Sequence, residues 1–144
     1  MKNLLFVACL LLTLTGMAQS NRQKVTGPVT SRRGIELKEG DILRLGEGTG
    51  SGRSFRHVFT SINRLGQEAS QIDGGYQYVN TTIKEFYEVG TGANRRLIVL
   101  VRPKGDMNLN MKAVDLESAI ESKEVISLNG TSLYKLMRKE TSKR

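Results

Sequence analysis

Apolar and polar residues alternate with a period of two along much of the chain, as in strands whose neighbouring side chains point to opposite faces. Ile35 and Leu37 alternate with polar neighbours, Glu39-Gly40-Asp41 supplies turn residues, and 42–45 resumes a strand. A glycine-rich stretch follows at 46–52. Residues 54–62, "SFRHVFTSI", are rich in aromatic and β-branched side chains and predict another strand. Residues 63–75, with Gly66, Gly74 and Gly75, read as a long, partly mobile connection. Strands are predicted at 76–79, 83–89 and 95–102, with Pro103 closing the last. The unbroken apolar run 97–101 suits a strand covered on both faces and is the best core candidate.

The period changes late in the chain. Met107, Leu109 and Met111 alternate as in a strand, whereas Leu116, Ala119 and Ile120 fall at i, i+3 and i+4 behind Asp115, a residue type suited to an N-cap. A short helix is predicted there. Asn129-Gly130 between two weakly apolar runs predicts a two-residue hairpin turn. Six or seven short strands with one helix in the C-terminal half define a mainly β class, a small SH3-like barrel or a curled antiparallel sheet.

The ends read differently. Lys2, the apolar run 4–12 and the small residues Gly16 and Ala18 have the form of a secretory signal peptide over 1–18, with residue 20 as the alternative end. The expected location is therefore exported, periplasmic or secreted, with no transmembrane segment in the mature chain. Cys9 is the only cysteine, and cleavage would remove it, so disulfides and cysteine-based metal sites are not expected. Residues 19–33 are polar and basic and read as a disordered linker, 34–134 as one β-rich domain, and 135–144 as a basic tail that frays.

The net charge of +8 looks at first like a nucleic-acid signal. Its distribution removes that impression: 34–134 holds twelve basic and thirteen acidic side chains, and the excess lies in the flanks. Nucleic acid is thus an unlikely partner; weak contact of the basic ends with anionic surfaces is the remaining electrostatic expectation.

The stretches "LKEGDILRLGEG", "GRSFRHVF", "IKEFYEVG…RRLIVLV" and "VDLESAIESKEVI" together resemble a functionally uncharacterised group of small exported proteins of Gram-negative bacteria. The resemblance covers about 34–126. It implies a compact β-rich domain of the cell envelope and brings no catalytic residue with it.

No spacing names a reaction. "RLGEGTGSGRSF" invites comparison with phosphate loops, but counting back five from Gly52 reaches Glu47, no glycine triplet satisfies G-x-G-x-x-G, and a strand follows rather than a helix. The loop is expected to be a flexible hairpin connection. Ser51 is not flanked as in a nucleophile elbow. His57 is the only histidine and lacks partners for a zinc site. Glu85 and Glu88 fall on opposite sides of a strand, and Glu117 and Glu121 on the exposed side of a helix, so neither pair suits glycoside hydrolysis. Asn80-Thr81-Thr82 and Asn129-Gly130-Thr131 read as turn asparagines.

The expected function is a non-enzymatic binding or interaction module of the cell envelope, without cofactor or metal, whose partner is an envelope protein or polysaccharide. His57, Tyr76, Tyr78, Phe86 and Tyr87 are the candidate ligand-binding residues. The alternatives are a small hydrolase-like enzyme with its site around His57, and an assembly or stabilising subunit without a ligand.

Overall fold

The computed structural model describes residues 21–63, 66–106 and 110–143. The expected signal segment with Cys9, and Met107 and Leu109 of the alternating stretch, lie outside the described residues.

Among the described residues there are ten strands: β1 (Arg22–Val25), β2 (Val29–Thr30), β3 (Glu36–Leu37), β4 (Ile42–Leu45), β5 (Val58–Phe59), β6 (Asn80–Val89), β7 (Arg96–Pro103), β8 (Lys112–Asp115), β9 (Val125–Leu128) and β10 (Thr131–Ser132). Helix α1 (Leu116–Glu121) follows β8 and helix α2 (Leu133–Thr141) follows β10. Eight strands form one antiparallel sheet in the order β10-β9-β4-β6-β7-β8-β5, with β1 also paired to β6; β2 and β3 form a separate ribbon. The fold is mainly β with a short late helix, as the periodicity indicates. It is an open sheet with no closed barrel, and of the two expected architectures only the sheet survives.

The ten-residue β6 organises this sheet. Its first residues pair with β4, its last four pair with β1, and its other edge runs along β7. One face of the sheet carries the main core, where Leu43, Phe86, Val99 and Val114 are fully buried against Leu116 and Ala119 of α1. The opposite face at β6, β7 and β8 carries a second cluster of Val89, Ile98, Leu100 and Ala113, joined by Ile62. Residues 98–101 are therefore buried on both sides, as their unbroken apolar run requires.

Several expectations change. The presumed linker supplies β1, whose Arg22 guanidinium lies 3.8 Å over the Tyr87 ring and whose Lys24 pairs with Glu85 at 3.4 Å. Tertiary pairing compensates there for a sequence too polar to order itself. The presumed tail forms α2, and Leu136 and Met137 pack against the core. Instead of a long strand over 54–62 there is the short β5, and the expected connection returns along it through bridges Phe59–Gln71 and Ile62–Glu68. Gly74–Tyr76 is a 3₁₀ turn rather than the start of a strand.

Asp115 precedes α1 as expected of an N-cap but makes no capping hydrogen bond. Its carboxylate pairs with Arg96 at 3.1 Å, and Arg96 also bridges to Glu68. Burial alone would lower the Arg96 pKa, but the two carboxylates outweigh it and the net shift is upward. At Asn129-Gly130 the φ angles are 49° and 80°, the left-handed pair that a tight hairpin turn needs. Asn129 also ties the turn to β4: its Oδ1 accepts from Ile42 N–H at 2.8 Å and its Nδ2 donates to Asp41 at 3.0 Å.

Candidate functional site

The glycine-rich loop is not a loose connection. It is folded around Glu124, a carboxylate with no exposed surface. Glu124 Oε1 accepts from Thr49 N–H (3.1 Å), Thr49 Oγ1 (2.5 Å) and Arg56 N–H (2.7 Å), while Oε2 accepts from His57 N–H (2.8 Å). Four donors satisfy a charge that would be costly to bury alone. A side chain at Gly48 would collide with the backbone carbonyls of Arg53 and Ser54, so absence of Cβ closes the loop. Glu124 is engaged by the loop itself, and its role is architectural.

This anchored loop sets the position of Tyr78. Gly46 N–H donates to Glu124 O at 2.8 Å, and Gly46 O accepts from Tyr78 N–H at 3.4 Å. Tyr78 takes a φ of 60°, a left-handed conformation uncommon for an aromatic residue, and Arg53 in the loop takes 63°. Tyr78 is 48% exposed and its hydroxyl donates to Glu47. That hydrogen bond, followed by desolvation and the Glu47 charge, raises the tyrosine pKa against the opposing charges of Arg53 and Arg44.

Beside Tyr78 lies an uncovered part of the sheet. Leu43, Leu45, Thr81, Ile83 and Val101 point into the molecule, so their neighbours in the strands point outward. Register aligns these in two rows. Ile42, Thr82 and Arg102 form one, and Asn80, Arg44, Ser127 and Ser132 the other. No row position is acidic, and two are arginines. Of three large apolar side chains exposed among the described residues, Ile42 (43%) and Tyr78 lie here, flanking Arg44. Hydroxyl, amide and guanidinium groups therefore share one face with two apolar contacts.

The expected aromatic set does not form one surface. Phe86 is fully buried in the core and is removed from it. Tyr87 lies on the side of β6 away from Phe86, the side that carries Thr82, but Arg22 covers its ring and its hydroxyl donates to Glu85 at 2.6 Å. Tyr76 is half-buried; its hydroxyl donates to Asp106 at 3.2 Å and the Lys112 ammonium stands 5.4 Å from its ring centre. Burial first, then the Asp106 hydrogen bond, raises the Tyr76 pKa. His57 serves through its backbone, donating to Glu124 and accepting from Asp115 N–H at 3.0 Å. Tyr78 alone stands at the uncovered face. Arg44, Thr82 and Arg102 were not singled out as binding residues from sequence, and Asn80, expected in a turn, instead opens β6 and pairs with Arg44, although the alternation of Ile42-Leu43-Arg44-Leu45 placed Arg44 with Ile42.

Concavities among the described residues lie elsewhere. One of about 450 Å³ runs between α1, β9 and α2, past Ile126, Leu133, Tyr134 and Met137. Another of about 560 Å³ lies by Thr60, Ile62 and Met111. Among the described residues no group of three or more metal-ligating side chains converges, and no helix is long and apolar enough to cross a membrane. No family model, curated protein or solved structure matches the chain.

Proposed function

We propose that this protein is a non-enzymatic binding module of the cell envelope that presents the sheet face around Arg44 to its partner. The observation that carries the reading is the outward pair of rows without a carboxylate, bordered by an exposed aromatic ring held in a strained backbone. Strain of this kind collects where surrounding structure fixes a side chain for a purpose. Here the fixing is traceable, from the Glu124 backbone carbonyl through Gly46 to Tyr78. Export to the envelope is part of the proposal and comes from the leader-like residues 1–18 and the resemblance over 34–126.

The hydrolase-like alternative has less to support it. Among the described residues no carboxylate hydrogen-bonds the His57 imidazole, and the most buried carboxylate, Glu124, is occupied by loop donors.

The test is capture from envelope extract by the immobilised mature chain, beside an Ile42→Ala/Arg44→Ala/Tyr78→Ala variant with unchanged circular dichroism. A component retained by the first and lost by the second is the expected result. Retention that is equal for both, or absent for both, contradicts the reading.

A further inference from the structure

The structure assigns this face to an acidic, carboxylate-bearing polysaccharide, held by the guanidinium groups of Arg44 and Arg102 and by the ring of Tyr78. The inference rests on the binding-face reading above and adds the chemistry of the ligand. Neighbouring strands lie about 4.8 Å apart, so each cross-strand row offers polar groups at short, regular intervals. In one row Thr82 stands beside Arg102, and in the other Asn80 and Ser127 flank Arg44. Hydroxyl and amide groups both donate and accept, as needed to meet sugar hydroxyls. The planar guanidinium fork matches a carboxylate in two parallel hydrogen bonds.

Tyr78 and Ile42 supply the remaining contact. A sugar ring has an apolar C–H face, and both side chains are nearly half exposed beside Arg44. The Tyr78 hydroxyl is tied to Glu47 and its N–H to Gly46, so the ring is oriented before the ligand arrives. Preorganisation lowers the ordering cost of binding.

Other ligand classes fit less well. Single-stranded nucleic acid needs a succession of aromatic faces for its bases, and this surface has one. A protein partner would need a contiguous apolar centre, whereas Ile42 is the only aliphatic side chain in the two rows. A neutral glycan would leave both arginines unmatched.

Titration of the mature chain with galacturonic acid oligosaccharides, followed by NMR and calorimetry, tests the assignment. Saturable binding is expected, at least tenfold tighter than to the neutral galactose oligosaccharides of equal length, to polyglutamate or to oligo-thymidine. Arg44→Ala, Arg102→Gln and Tyr78→Ala should each weaken it at least fivefold, with shift changes confined to the two rows, while Tyr134→Ala leaves it unchanged. If an alanine variant unfolds, Arg44→Gln and Tyr78→Gly take its place. Equal affinity for polyglutamate or oligo-thymidine overturns the assignment, because charge alone would then suffice. A chain that captures an envelope component through this face yet binds no galacturonate oligosaccharide overturns the glycan assignment and leaves the binding face standing. Galacturonate binding that survives every row variant overturns both.

Discussion

Glu124 shows how one buried charge organises a loop. Glu124→Gln keeps the shape but presents an amide N–H₂ toward backbone donors, so it should destabilise the fold by about 2 kcal/mol. Chemical denaturation reads the loss, and hydrogen exchange at Thr49, Arg56 and His57 should speed up; a change below 0.5 kcal/mol, taken as roughly the size of an ordinary surface substitution, would contradict the role. Gly48→Ala forces a Cβ onto two carbonyls and should cost more than about 1 kcal/mol. Tyr78 separates structure from binding. Because its φ is 60°, Tyr78→Gly should be at least as stable as Tyr78→Ala in thermal unfolding, although both remove the ring of the proposed binding face. The glycines were legible as a loop, but its anchor was not. Glu124 lies 75 residues from Thr49, and no local period links them.

At the scale of elements, local patterns were reliable where the cause was local. Asn129-Gly130 formed its turn, and 116–121 formed its helix. β1 was missed because RQKV has almost no apolar content, and its order comes from β6. A chain beginning at residue 34 should therefore unfold at lower denaturant than one beginning at residue 19; coincident transitions would show that β1 contributes nothing. α2 had a visible signal, Leu133, Leu136 and Met137 at i, i+3 and i+4, outweighed by the density of basic residues around it. β6 also introduces a pH dependence, to which β1 adds. The Tyr87 hydroxyl bond first, and then the Lys24 and Arg22 charges, hold the Glu85 pKa below its ordinary 4.5 despite partial burial. The folded state then binds this proton less tightly than the unfolded chain. The stability it contributes is present above pH 4.5 and is lost as pH falls through the depressed folded value. Tyr87→Phe should flatten the acid limb of denaturation midpoint against pH, by less than about 1 kcal/mol because the Lys24 partner is half exposed. An unchanged slope would contradict the assignment.

For the whole molecule, one end of the sheet is covered on both faces and the other on one. The turn after β5 shields Ile98 and Leu100, whereas nothing among the described residues covers Ile42, Arg44 and Arg102. Alternation told which residues share a face, but which face stays open depends on contacts distant in sequence. Net charge was no guide either, because the body is balanced while the two rows hold arginines and no acid, the carboxylate at their border being Glu47, which is held by the Tyr78 hydroxyl. Choosing aromatic residues by type found Tyr78 and also Phe86, which packs inside. The central claim is that partners meet the Arg44 face rather than the groove beside α2, and photo-crosslinking in envelope extract compares the two directly. A photoreactive amino acid in place of Asn80 should give a discrete adduct, and one in place of Tyr134 should give none. Adducts from position 134 without any from position 80 would contradict the account.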